Sequence, residues 1–118
     1  MTEPQRIRLS RKPGWRKPEG AVVVSRPSRW GNPFTITECL DDDPTQTDEE
    51  ARARCVRLFE GWLKGELKLS GPDLRRRRAW ILEHVHELAG KDLACWCYLD
   101  YPCHADVLLS LANGGRHG

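Results

Sequence analysis

Two short apolar runs do most to constrain the fold: Ala21-Val22-Val23-Val24-Ser25 and Asp92-Leu93-Ala94-Cys95-Trp96-Cys97. Neither alternates polar with apolar residues, as a strand with one wet face would. Runs of this kind suit strands covered on both faces, the situation of a parallel sheet flanked by helices. A third segment, Arg6-Ile7-Arg8-Leu9-Ser10, does alternate and reads as a half-buried strand. Pro13-Gly14, Pro18-Glu19-Gly20 and Arg26-Pro27 break the chain between and after these strands.

Helical patterns occupy much of the remainder. Thr47-Asp48-Glu49-Glu50 has the form of a capping box, with Thr47 as N-cap and Glu50 reaching back to it. Ala51, Cys55, Leu58, Phe59, Trp62 and Leu63 then share one helical face, and Gly65 stands where a helix-ending residue is expected. Pro72 opens a second helical pattern that runs to Leu88, with Leu74, Ile81, Val85 and Leu88 facing inward and Gly90 ending it. Asp100-Tyr101-Pro102 reads as a turn capping a third helix, which carries Cys103, Val107, Leu108, Leu111 and Ala112. Cys39 to Pro44, with Asp41-Asp42-Asp43, reads as an exposed acidic loop without the ligand spacing of a calcium site. The expected fold is a small single α/β domain over residues 1–118, with a short, mostly parallel sheet of about three strands packed with three helices. Residues 1–5 and 114–118 are expected to be disordered tails.

No apolar run approaches the ~20 residues that span a bilayer. Met1 to Arg11 lacks the apolar stretch of a secretory signal, which points to the cytoplasm. There the five cysteines are thiols, metal ligands or redox groups rather than disulfides. Five tryptophans are too many for a core this small to hide completely, so one or two are free to meet a ligand. The net charge of +2 conceals an uneven distribution: residues 1–30 hold eight Lys or Arg against two Glu. Such a field attracts phosphates, although it also serves solubility. Arg75-Arg76-Arg77-Arg78 lies within a helix and points around it, so the four cannot all face one partner.

The chemistry-bearing residues gather at strand ends. Cys97, Tyr98, Asp100, Tyr101, Cys103, His104 and Asp106 lie where a strand passes into a helix, the edge at which open α/β folds bind ligands. Arg26, Arg29, Trp30 and Asn32 follow the other strand. Several readings stay open. Cys103 in a first helical turn is a candidate nucleophile, with His104, His84 or His86 as base and Asp106 as orienting group. Cys95 and Cys97 share one side of a strand and, with Cys103 or His104, form a candidate zinc set, although the spacing is not that of paired knuckles. Free amides near residues 102–105 would hold a phosphate or carboxylate together with Arg26 and Arg29. Against these stands plain packing, most favoured for Cys95 and Cys55.

Three blocks carry a resemblance: Arg26-Pro27-Ser28-Arg29-Trp30-Gly31-Asn32-Pro33-Phe34, Gly90-Lys91-Asp92-Leu93-Ala94-Cys95-Trp96-Cys97, and Pro102-Cys103-His104-Ala105-Asp106-Val107-Leu108-Leu109. From about Arg6 to Asn113 the chain resembles a family of small bacterial and phage proteins known as a domain of unknown function. The resemblance implies that the blocks belong to one design, and it implies no activity, substrate or cofactor. In that family proline often follows the second cysteine closely, whereas Tyr98 and Leu99 stand there here. The leading expectation is a ligand-binding protein for a nucleotide or nucleic-acid phosphate, using Arg26, Arg29, Trp30, Asn32 and Cys97, with Trp15 or Trp30 stacking on a base. The alternatives are a cysteine-dependent enzyme built on Cys103, His104 and Asp106, and a zinc-binding or protein-interaction module.

Overall fold

The structure is a computed structural model that describes residues 3–67 and 71–114. Its elements are β1 (Arg6–Arg8), β2 (Val22–Val23), α1 (Ile36–Asp42), α2 (Asp48–Leu63), α3 (Pro72–His84), a 3-10 turn (Val85–Leu88), β3 (Leu93–Cys95) and α4 (His104–Ala112). The sheet is entirely parallel, in the order β1-β3-β2. The fold is thus the small α/β domain expected from the apolar runs, with a fourth helix added.

The three strands are not equivalent. Leu93, Ala94 and Cys95 of central β3 are all buried, as a strand without polar alternation should be. The Ala21–Ser25 run departs from the same expectation: β2 covers only two of its residues and lies at a sheet edge, leaving Val23 37% exposed. Ala21 and Val24, on either side of β2, are buried.

Both ends of α2 follow from local chemistry. Thr47 Oγ1 accepts from the Glu50 amide at 3.1 Å, and Glu50 accepts from the Thr47 amide at 2.7 Å. Gly65 follows with φ +79°, the left-handed conformation that glycine adopts without a steric penalty. The acidic-loop expectation for Cys39–Pro44 is corrected. Thr35 and Glu38 form a second capping box and start α1, whose Cys39 packs against Ala51 and Cys55. The second helical pattern is also shorter than its periodicity suggested, because α3 stops at His84 and the chain tightens into the 3-10 turn. Cys103, expected within the last helix, lies just outside it, because α4 begins only at His104. Of the expected tails, residues 1–2 and 115–118 lie outside the described residues. Gln5 is held in place, its amide donating to Asp92 Oδ1 at 2.9 Å and its carbonyl accepting from the Leu93 amide at 3.1 Å.

Phe59, Ile81, Leu88, Leu93 and Leu108 are fully or almost fully buried and join the α2, α3 and α4 faces to the sheet. Trp30 and Trp62 belong to this core as well. Among the described residues, no helix is long and apolar enough to cross a membrane.

Candidate functional site

Parallel strands deliver the residues that follow them to one edge of the sheet. At that edge the chain leaving β2 meets the chain leaving β3 and the start of α4, around a hollow of about 240 Å³. Ser25 and Arg26 follow β2 and line it, as do Asn32 and Phe34 further along the same loop. Cys95, Cys97, Cys103 and His104 form the sulfur-and-imidazole wall, and α2 contributes Arg52, Cys55 and Val56. The hollow therefore gathers Arg26, Asn32, Cys97, Cys103 and His104, which are widely spaced in the chain.

The Sγ atoms of Cys95, Cys97 and Cys103 all lie within 4.8 Å of one another, with Cys95 and Cys103 at 3.3 Å. These residues are free thiols. Hydrogen bonding from the Cys103 and Cys95 thiols holds Cys97 well below the usual thiol range, with the Arg52 guanidinium adding to the effect. Cys97 is also the least buried residue of the three. Hydrogen bonding to Cys95 and Cys97, with burial, pushes the Cys103 thiol far up. Cys103 is only 1% exposed, so it is poorly suited to the nucleophilic role that its place in the sequence suggested. It is the N-cap of α4, not a residue of the first turn.

His104 is buried beneath the hollow, where its ring meets Phe59 edge-on at 5.3 Å. Nε2 donates to the Val24 carbonyl at 2.8 Å, which leaves the lone pair on Nδ1, 3.6 Å from Cys103 Sγ. Burial pushes its pKa down, so the imidazole is neutral near pH 7. Val24, not Asp106, orients this ring. Asp106 faces elsewhere and pairs with Arg6 Nη1 at 3.2 Å.

Other expected site residues separate from the hollow. Arg29 lines a second depression with Arg76, Arg77 and Trp80, and its guanidinium lies 5.2 Å from the Trp80 ring centroid. Trp30 is buried edge-on against Trp80 at 4.8 Å and offers no face to a base. Trp15 is 36% exposed but does not line the hollow. His84 stacks on Trp80, and its Nδ1 lies 2.8 Å from the Trp80 carbonyl, so neither it nor the exposed His86 reaches Cys103 as a base. Asn32 lines the hollow, yet both ends of its amide are already engaged: Nδ2 donates to the Cys55 carbonyl of α2 at 3.1 Å, and Oδ1 accepts from the Phe34 amide within the same loop at 2.9 Å.

Much of the basic N-terminal third is structural. Arg6 Nη2 donates to the Tyr98 and Leu99 carbonyls, Arg8 covers the Tyr98 ring at 4.1 Å, and Arg11 covers Trp96 at 4.6 Å. Arg6 and Arg8 thus pin the loop between Cys97 and Cys103, and Arg11 covers the residue just before Cys97. The four-arginine run disperses likewise: Arg76 pairs with Asp73, Arg77 donates to Gly31, and Arg78 donates to the Trp62 and Leu63 carbonyls at the end of α2. Sequence reading missed Arg52 because it is one of three arginines on α2, with Arg54 and Arg57, and only the tertiary structure singles it out. Arg54 instead pairs with Asp42 at 2.6 Å.

No curated protein and no solved structure matches the chain. One family model does match, over residues 7–114, and its span contains every element of the sheet edge except the first residue of β1. The chain therefore belongs to the family described as Domain of unknown function (DUF4326).

Proposed function

We propose that the protein binds a small phosphate-bearing ligand of the nucleotide class in the hollow at the sheet edge. The observation that carries this reading is its charge. Arg26 and Arg52 both line the hollow, and neither forms a salt bridge with a carboxylate among the described residues. One Cys97 thiolate opposes two guanidiniums, which leaves the wall positive. Two forked cations across a cavity this size match a phosphate or diphosphate, which each can grip through paired N–H donors. Phe34 and the 44% exposed Trp96 supply apolar surface beside them, suited to a base or sugar. The reading places the protein in the cytosol, where five free thiols stay reduced.

Pyrophosphate and adenosine diphosphate test this, with tryptophan fluorescence as the readout. The expected result is saturable binding that weakens as salt rises, because exposed charge pairs are screened. Arg26→Met and Arg52→Met should each weaken it at least about tenfold, the loss of one charge-assisted contact. Arg76→Met, at the other depression, should leave it unchanged. Absence of binding at low ionic strength, or equal affinity in all variants, would refute the reading.

A further inference from the structure

The thiol trio has a geometry that anion binding does not use. Cys95 ends β3, the bend that follows it through Trp96 brings Cys97 back beside it, and the loop returns Cys103 to them. Tetrahedral zinc with Zn–S bonds near 2.3 Å sets its sulfurs about 3.8 Å apart. The three Sγ atoms, 3.3 Å apart at Cys95–Cys103 and nowhere beyond 4.8 Å, bracket that spacing. A further donor borders the trio on the Cys103 side, outside the set whose atoms all lie within 4.8 Å of one another. His104 Nδ1 lies 3.6 Å from Cys103 Sγ, and two corners of a mixed sulfur–nitrogen zinc tetrahedron are separated by about 3.6 Å. Its other nitrogen already donates to the Val24 carbonyl, the outer contact that fixes a metal-binding imidazole with its lone pair free.

We infer that Cys95, Cys97 and Cys103 bind a zinc-class ion as three thiolates, with His104 Nδ1 as the fourth ligand. The spacing Cys-x-Cys-x5-Cys-His differs from paired knuckles because one ligand ends a strand, one sits in the bend just after it, and two lie at a helix start. The ion would tie β3 to α4 at the back of the hollow, and this site stands whether or not the hollow takes an anion. Cys55 is a built-in control, since it lines the same hollow but lies outside the trio.

Metal-free full-length protein titrated with Co2+ provides the test. The expected result is one cobalt per chain, with a near-ultraviolet thiolate-to-metal band and the visible bands of a tetrahedral, sulfur-rich site. Cys97→Ser should lower the thiolate band by about a third, the share of one sulfur in three. Cys55→Ser should leave the spectrum intact, and His104→Ala should move the visible bands while the thiolate band persists. X-ray absorption of the zinc-loaded wild-type chain, which needs no variant, should give three sulfurs at about 2.3 Å and one nitrogen at about 2.0 Å. A shell of oxygen and nitrogen alone, no stoichiometric uptake, or a Cys55→Ser loss equal to that of Cys97→Ser overturns the site. Visible bands unmoved in His104→Ala overturn the histidine ligand.

Discussion

Replacing Arg6 with methionine separates two roles that the same guanidinium plays. Its side chain is 7% exposed, and it donates from one side to Asp106 and from the other to the Tyr98 and Leu99 carbonyls. Asp106 is 56% exposed, so that ion pair contributes only about 0–1 kcal/mol. The carbonyl contacts lie along the loop between Cys97 and Cys103, and charged hydrogen bonds of this kind contribute about 1.5–3 kcal/mol each. Methionine keeps most of the apolar stem but leaves both carbonyls to water, which returns part of that energy. Arg6→Met should therefore cost about 2–4 kcal/mol in total. With a urea slope of roughly 1–3 kcal/mol/M, the unfolding midpoint should fall by about 1–2 M. Asp106→Asn should cost less than about 1 kcal/mol under the same conditions. Equal losses in the two variants, or a negligible loss in Arg6→Met, would show that this arginine does not hold the loop.

Gly31→Ala tests the close approach that shapes the first loop. A Cβ there would lie 2.6 Å from Arg26 Cγ and 3.2 Å from Arg26 Cα, so the change should cost about 1–3 kcal/mol and weaken pyrophosphate binding by displacing Arg26. Asn32→Asp removes the amide donor to the Cys55 carbonyl and sets a carboxylate against it; thermal unfolding should show a loss of about 1–3 kcal/mol that Asn32→Ala does not exceed. Burial, with the Cys39 hydrogen bond, pushes the Cys55 thiol from its ordinary value of 9.0 up to about 12. Native protein at pH 8 should then leave Cys55 unalkylated by iodoacetamide, as read by mass spectrometry, while unfolded protein reacts. The sign for stability follows: the contribution is fully present below pH 9, and declines toward pH 12 as the unfolded thiol ionises first. Unchanged stability across that window would contradict the burial argument.

The sequence was most legible where one physical signal acted alone. The Thr47–Glu50 box and Gly65 bound α2 through local hydrogen bonding and backbone conformation, which need no tertiary partner. Leu93-Ala94-Cys95 reads as buried because a central strand leaves no wet face. Legibility failed where neighbours decide. Val22 and Val23 look like an interior strand, but strand order makes them an edge. Thr35 and Glu38 form the same capping box as Thr47 and Glu50, yet the run of aspartates after Cys39 masked α1. In the site, the strand-end rule brought Arg26 and Cys103 together but failed for Arg29, which turns to Trp80 three residues later in the loop. Arg52 reaches the hollow from a helix, and nothing in the pattern of α2 distinguishes it from Arg54 or Arg57.

Residue-resolved amide shifts during pyrophosphate titration bear most directly on where the working surface lies. The account predicts that Ser25, Arg26, Asn32, Arg52, Cys97 and His104 shift together and saturate at one ligand per chain. Shifts confined to Arg76, Arg77 and Trp80, with the thiol-lined hollow silent, would contradict it.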